Sequence, residues 1–370
     1  MNSILLTDYA SPPGETLAET IDAMGLTQTE LARRMDRPIK TINEIIQGKA
    51  ALTADTALEL ERVLGVPASF WNGLEANYRE HLARQRAAQR LDVDEAWLTR
   101  LPIPAMQKRG WITRTGEKLQ LMDELLSFFG CTNVDAWSEA WGKPTVAYRK
   151  SSKLQSHPEA LAAWLRKAEL ESRKQNCAPF DAVRFKDALQ RIRAATLLPV
   201  PKWQSEIRSE CTACGVAYVI LPELPGAPVS GAARQMNDEL MLIVQSGRFK
   251  EDGHFWFTFF HEARHVLQGR LKREWLIEEE ERDEPIERDA NQFAREFLVP
   301  AAAIKRIRQK YQGMPLAAGE ELARELGISP GIVAGRLQYD KIWLPPVAHK
   351  LKRRFKQEEL VGFDTELPVE

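Results

Sequence analysis

The stretch FTFFHEARHVLQG, residues 257–269, sets His261 and His265 four positions apart with Glu262 beside the first. On a helix, side chains at that spacing stand one above the other, so both imidazoles can reach a single ion. Imidazole nitrogens so placed suit Zn2+. Glu262 falls about 100° round the helix from His261. That puts it beside the metal rather than on it, where a general base for an activated water belongs. Catalytic zinc takes three protein ligands and keeps one position open. Glu287, 22 positions beyond His265, opens the segment ERDANQFAREFLVP and can be the third. Asn291 lies one turn later on the same face, where it can hydrogen-bond and orient a ligand histidine. The competing reading is a buried helix whose histidines are satisfied by core hydrogen bonds.

The elements that must position these residues are legible around them. GVAYVILP (215–222) and ELMLIVQS (239–246) are β-rich runs, separated by the Pro/Gly-rich stretch ELPGAPVSGAARQMND, which reads as a loop. The histidine helix follows, then the acidic run EEEERDEPIERD and the glutamate-led helix that stops at Pro300. Two strands and two helices make an α+β unit over 196–310. From 91 to 195 the pattern is charged, helical and tryptophan-bearing, without catalytic spacing, and reads as a connecting domain.

Residues 14–66 read as a run of short helices. Thr27 and Glu30 form a capping box, so a helix starts there with Leu31 and Met35 on one face. Pro38 interrupts it. A second helix then turns Ile39, Ile42, Ile45 and Ile46 inward and ends at Gly48. Helix, turn and helix make a DNA-binding unit. Arg37, Lys40, Thr41 and Asn43 stand where the front of a recognition helix meets base edges, and Gln28 where a helix N-terminus meets phosphate. Arg33 and Lys49 are placed for phosphate. The expected partner is a double-stranded operator, bound by a homodimer on a palindrome. Against this, residues 14–66 hold six basic and nine acidic side chains, which suits a protein-docking module. The motif ELARRMDRPIKTINEIIQ (30–47) is echoed by ELARELGISPGIVAGRLQ (321–338). Gly331 and Gly335 deprive the second copy of base-reading side chains, so it reads as a packing unit over 311–350, followed by a charged tail, 351–370.

Composition bounds the rest. The chain has 370 residues and a formal charge of -1, with a pI near 6.6, so any nucleic-acid contact is local rather than a whole-surface attraction. It lacks a basic, apolar leader and any long uncharged apolar run, which reads as cytoplasmic with no membrane partner. Four cysteines do not make a disulfide scaffold. Cys211 and Cys214 lack a second pair to complete a zinc site.

HEARH with ERDANQFAREFLVP, aromatics just ahead of the helix and SGAAR upstream resembles the ImmA/IrrE family of zinc metallopeptidases. Residues 1–90 resemble a HigA-type antitoxin helix-turn-helix domain of the XRE class. The resemblance implies a multidomain, mainly α fold with a gluzincin-like α+β peptidase domain. It implies zinc on His261, His265 and Glu287, and catalysis by Glu262. It also implies peptide hydrolysis of a repressor-like or toxin-like regulatory protein. One residue departs from the family: Arg264 stands where a small residue is usual, and would crowd the packing under the site or pair with the acidic run. Should it disable the site, the peptidase fold would serve only for sensing or interaction. An extended substrate is expected alongside 239–246 by β-augmentation.

Overall fold

The computed structural model describes residues 10–90, 94–142, 157–269, 275–277, 285–356 and 359–360, with backbone alone for 87–90. Residues 278–284 of the acidic run, and 357–358 and 361–370 of the charged tail, lie outside the described residues. Contacts divide the chain into two compact units, 1–93 and 94–370. Each has its own apolar core.

The first unit is all-α: α1 (Pro13–Ala23), α2 (Gln28–Arg34), α3 (Ile39–Ile46), α4 (Ala54–Leu64) and α5 (Ala68–Arg90). Thr27 caps α2, its hydroxyl accepting from the Glu30 amide at 3.2 Å. Pro38 is the N-cap of α3, where no amide donor is needed. Leu31, Met35, Ile42, Ile45, Leu60 and Trp71 fill the core. Ile39 is a correction, because it is 50% exposed rather than inward. Ile42 and Ile45 are the buried stripe of α3, and Ile46 packs partly buried against the same core.

The second unit begins with α6 (Glu95–Arg100), α7 (Ile103–Lys108), α8 (Lys118–Phe129) and α9 (Val134–Trp137), the last running into a π-helical turn, Ser138–Gly142. Then come α10 (Pro158–Ser172), α11 (Ala182–Ala195) and α12 (Val200–Thr212). The strands are β1 (Val216–Ile220), β2 (Gly231–Asn237), β3 (Leu240–Gln245) and β4 (Leu276–Ile277). Helix α13 (Asp252–Leu267) precedes β4, and α14 (Pro285–Leu298), α15 (Ala301–Lys310), α16 (Leu316–Leu326), α17 (Pro330–Tyr339) and α18 (Pro345–Ala348) follow. One continuous core runs from Phe185 on α11 to Leu360. No helix among the described residues is long and apolar enough to cross a membrane.

The sheet order is β1-β3-β2-β4, with β1 parallel to β3 and the other pairs antiparallel. Two expectations need correcting here. The stretch 223–238 is not all loop, for β2 lies within it. GAARQMN carries no β-branched or aromatic residue, and it is the ladder to β3 that makes it a strand. With β2 on one side and β1 on the other, β3 has both edges paired, so an extended substrate has no edge to join at 239–246.

Helix α13 is held from three directions. Its flank packs on β2 and β3, where Gly231 allows the approach: a Cβ there would come within 2.7 Å of both Glu262 Oε1 and Thr258 Cγ2. Gln245 on β3 donates to the Phe255 carbonyl at 2.9 Å and accepts from the Tyr218 hydroxyl at 2.7 Å. At its N-terminus, buried Asp252 accepts from the Ser329 hydroxyl and from the Gly253 and Arg353 amides. Burial holds that carboxyl above its ordinary range, although these donors offset part of the rise. The 321–338 echo forms α16 and α17, whose Leu322, Ile332, Val333 and Leu337 lie in the core. Its glycines meet α13: a Cβ on Gly253 would lie 2.7 Å from the Gly331 carbonyl oxygen and 3.7 Å from Gly335 Cα. Because that neighbour is backbone, Gly253→Ala is expected to destabilise the second unit by about 1–3 kcal/mol, read as a lowered denaturant midpoint. An unchanged midpoint would refute the close-packing account.

Candidate metal centre and helix-turn-helix surface

His261 and His265 occupy successive turns of α13, and Glu287 sits in the first turn of α14, which packs against it. The expected ligand set converges. His261 Nε2 and His265 Nε2 are 3.0 Å apart, and the Glu287 carboxylate reaches them at 3.1 and 3.3 Å. All three side chains are at least 98% buried. The outer nitrogens of both rings face amide oxygens: His261 Nδ1 is 3.1 Å from Asn291 Oδ1, and His265 Nδ1 is 3.2 Å from Gln268 Oε1. Gln268 cannot be turned round, because its Nε2 donates to the Ile286 carbonyl and the Asp289 carboxylate. His265 Nδ1 therefore carries a proton, and His261 Nδ1 does likewise with the Asn291 oxygen turned to it, which leaves the Nε2 atoms as acceptors facing one another and a carboxylate.

Three converging electron-pair donors in a dry interior repel unless positive charge lies between them. Protons can supply it: burial pushes the Glu287 carboxyl up, and the facing histidines outweigh that effect and hold it down at about 2. A divalent ion supplies it better, since donors bonded at about 2.0–2.2 Å to a tetrahedral centre stand about 3.3 Å apart, close to the separations found here. The residues present fit a metal. Among the described residues, one ligand atom from each of His261, His265 and Glu287 lies within 4.8 Å of the other two, close enough to share an ion.

Glu262 lies alongside, fully buried and against Gly231 of β2. Arg264 does not crowd the site. Its Nε donates to Asp289 at 2.7 Å, at the end of the acidic run, and its guanidinium lies over the Phe293 ring. Hydrogen bonds from Arg264 and then Gln268 hold the Asp289 carboxyl below its ordinary range. Gln268 and Asp289 are neighbours of the cluster that motif reading missed; the i, i+3 spacing of Gln268 from His265 was the available signal.

In the first unit, α3 exposes Lys40 and Asn43, and Gln47 completes an i, i+3, i+7 face that the sequence reading left out. Lys49 is exposed, Thr41 half-buried, and Gln28 opens α2. Arg33 is 77% exposed but shares Glu30 with Arg34, and these hydrogen bonds bring the Glu30 carboxyl down to about 2. Arg37 is engaged differently from the other expected base readers, gripping Glu59 on α4 with two hydrogen bonds of 3.0 and 2.9 Å.

Residues 17–71 match the family described as Helix-turn-helix, and residues 223–338 the family described as IrrE N-terminal-like domain. The chain is an XRE-type helix-turn-helix protein carrying an IrrE/ImmA-like peptidase domain. The helix-turn-helix unit is 38% identical over 74 residues to "Virulence-associated protein I" of Dichelobacter nodosus, covering 20% of this chain and 68% of the relative. It is 33% identical over 63 residues to "Uncharacterized HTH-type transcriptional regulator YddM" of Escherichia coli (strain K12), covering 17% and 67%. Two solved structures are similar to it. A HigA-family addiction module antidote protein from Coxiella burnetii is 29% identical, over 22% of this chain and 90% of that one, at a TM-score of 0.21. The structure described as Pseudomonas aeruginosa antitoxin HigA with higBA promoter is 25% identical, over 23% and 95%, at 0.22.

In the IrrE/ImmA-like domain, Asn291→Ala and Gln268→Ala are each expected to weaken metal binding about 10–100-fold without unfolding the chain. Competition against a chromogenic chelator measures this. Unchanged affinity in both variants would mean that the amides do not orient the rings.

Proposed function

We propose that the chain is a DNA-binding transcriptional regulator whose IrrE/ImmA-like domain is a zinc-dependent peptidase. Its substrate would be a regulatory protein, repressor-like or toxin-like, in a stress, prophage or toxin–antitoxin circuit. The observation that carries the peptidase reading is Glu262 lying fully buried beside three converged donors. His261, His265 and Glu287 would hold Zn2+. When bound, the ion acidifies a water and polarises the scissile carbonyl. Glu262 accepts the proton of the attacking water, whose oxygen bonds to the carbonyl carbon. The same carboxylic acid then returns that proton to the nitrogen as the C–N bond breaks. Asn291 and Gln268 keep each imidazole turned with its Nε2 inward. The alternative, a non-catalytic sensing or interaction module, drew on Arg264, which pairs with Asp289 of the acidic run rather than crowding the ligands.

Purified protein should contain about one zinc per chain. Glu262→Gln should keep the ion and abolish cleavage, whereas Glu287→Ala should lose it. Proteomics of cells carrying the wild type or Glu262→Gln identifies the cleaved partner. Loss of zinc in Glu262→Gln would overturn the division between ligand and base.

DNA binding is supported by the helix-turn-helix match and the exposed Lys40, Asn43 and Gln47 face. A homodimer on a palindromic operator is the geometry such units use. Lys40→Ala or Asn43→Ala should cost about 1–3 kcal/mol at one base position and relax preference there. Arg33→Ala or Lys49→Ala should instead weaken binding to all sequences and flatten its salt dependence. A fragment of residues 1–93, with its own core, should show the same preference in a selection from random duplexes. Sequence-blind binding, or none, would reassign the unit to protein docking.

A further inference from the structure

A cleft of about 590 Å³ opens one turn away from the ligand cluster. Phe257, one turn before His261 on α13, lines one wall, and Asn291, one turn after Glu287 on α14, lines the other. The cleft and the cluster thus share two helices. Leu298 and Ile332 give it an apolar floor, and α17 closes it.

Its charges do not balance. Glu251 is the acid among the lining residues, and it is met by two cations, Lys352 at 2.8 Å and Arg354 at 3.7 Å. Arg336 is met from outside by two acids, Asp340 at 2.8 Å and Glu296 at 3.5 Å. Arg295 is different. It lies on the same face of α14 as Glu287 and Asn291, spaced i, i+4, i+8. Its Nε donates to the Asn291 carbonyl and its Nη1 to the Tyr339 hydroxyl at 2.6 Å, with the guanidinium 4.8 Å from that ring. Both acceptors are neutral, and none of its described partners is a carboxylate. Four cations thus meet three acids, and Arg295, its guanidinium fixed in direction by two hydrogen bonds, is the one that no carboxylate meets among the described residues.

We propose that this cleft is a substrate subsite for a peptide carboxylate, with Arg295 as the residue that binds it. The inference rests on the peptidase reading for the identity of the ligand as a peptide. A fixed guanidinium with free N–H groups matches a carboxylate's two oxygens, and a charge-assisted contact of this kind is stronger than a neutral one. The carboxylate can come from an acidic side chain or from a chain terminus.

The test uses the full chain carrying Glu262→Gln, loaded with zinc, so that peptides bind without being consumed. Three fluorescein-labelled hexapeptide pools, randomised over uncharged residues, are compared by polarisation. One has a fixed central glutamate and an amidated end, one a central glutamine and an amidated end, and one a central glutamine with a free terminal carboxylate. At least one carboxylate-bearing pool should bind about tenfold or more tighter than the neutral pool, and which one does identifies the source. Arg295→Gln should erase the difference and Arg295→Lys should retain part of it, with zinc content unchanged in both as the check on folding. Equal binding of all three pools, absence of binding up to millimolar peptide, or a preference that survives Arg295→Gln would overturn the proposal. Cleavage by the wild type without acidic preference would remove the subsite and leave the peptidase reading intact. Carboxylate preference without any cleavage would do the reverse.

Discussion

The domain is organised around one electrostatic problem. Two imidazole nitrogens and a carboxylate, all acceptors, are held within about 3 Å of one another where water is excluded. No apolar packing makes that arrangement favourable by itself; it needs a positive charge at its centre. The surroundings are built to keep the donors in place despite it. Asn291 and Gln268 fix which nitrogen of each ring carries hydrogen, and Asp289 and the Ile286 carbonyl fix Gln268 in turn. The pair α13 and α14 is thus a frame in which ligands and their orienting groups alternate between two facing helices.

That frame needs a straight α13 pressed close to its neighbours, which explains two sets of glycines. Gly231 brings β2 against Glu262 more closely than any side chain would permit. Gly253, Gly331 and Gly335 let α13 and α17 meet backbone to backbone. The second helix-turn-helix echo thereby acquires a physical explanation. It keeps the short-helix, turn, short-helix geometry of residues 30–47 but spends its would-be reading helix on supporting α13. Arg193 secures the same corner, donating to the Phe297 and Leu298 carbonyls at the end of α14 and to Leu326 at the end of α16. These are carbonyls that a helix terminus leaves without partners of its own.

How much of this could be read from the sequence depended on whether the signal was local. The i, i+4 histidines, the Glu287 and Asn291 face and the Thr27 cap each follow from helical spacing, and each lies where that spacing puts it. The strands 216–220 and 240–245 announced themselves by β-branched runs. Strand β2 did not, because GAARQMN has weak intrinsic preference and becomes a strand only through its ladder to β3. The substrate-edge expectation failed for that reason alone, since an unseen neighbour had already taken the edge. Arg264 was ambiguous in sequence because spacing does not say which way a long side chain turns. Its partner, Asp289, lies 25 positions away on another helix.

The first unit shows the same limit at its surface. Six basic and nine acidic residues over 14–66 seemed to argue against nucleic acid, but a sum over a segment ignores which charges are already spent. Arg37 is tied to Glu59, and Arg33 and Arg34 share Glu30, whereas Lys40 is 83% exposed and touches Glu44 only at 3.8 Å. Exposed ion pairs of this kind contribute little to stability, so a phosphate arriving at Arg33 or Arg34 competes only against a weak, solvent-screened contact. Arg37 is less free, because two parallel hydrogen bonds and the packing of α4 define its direction. If the unit binds DNA as proposed, the acidic partners of the exposed arginines would set a threshold on non-specific attraction, and Lys40, Asn43 and Gln47 would be the face on which one base sequence is told from another.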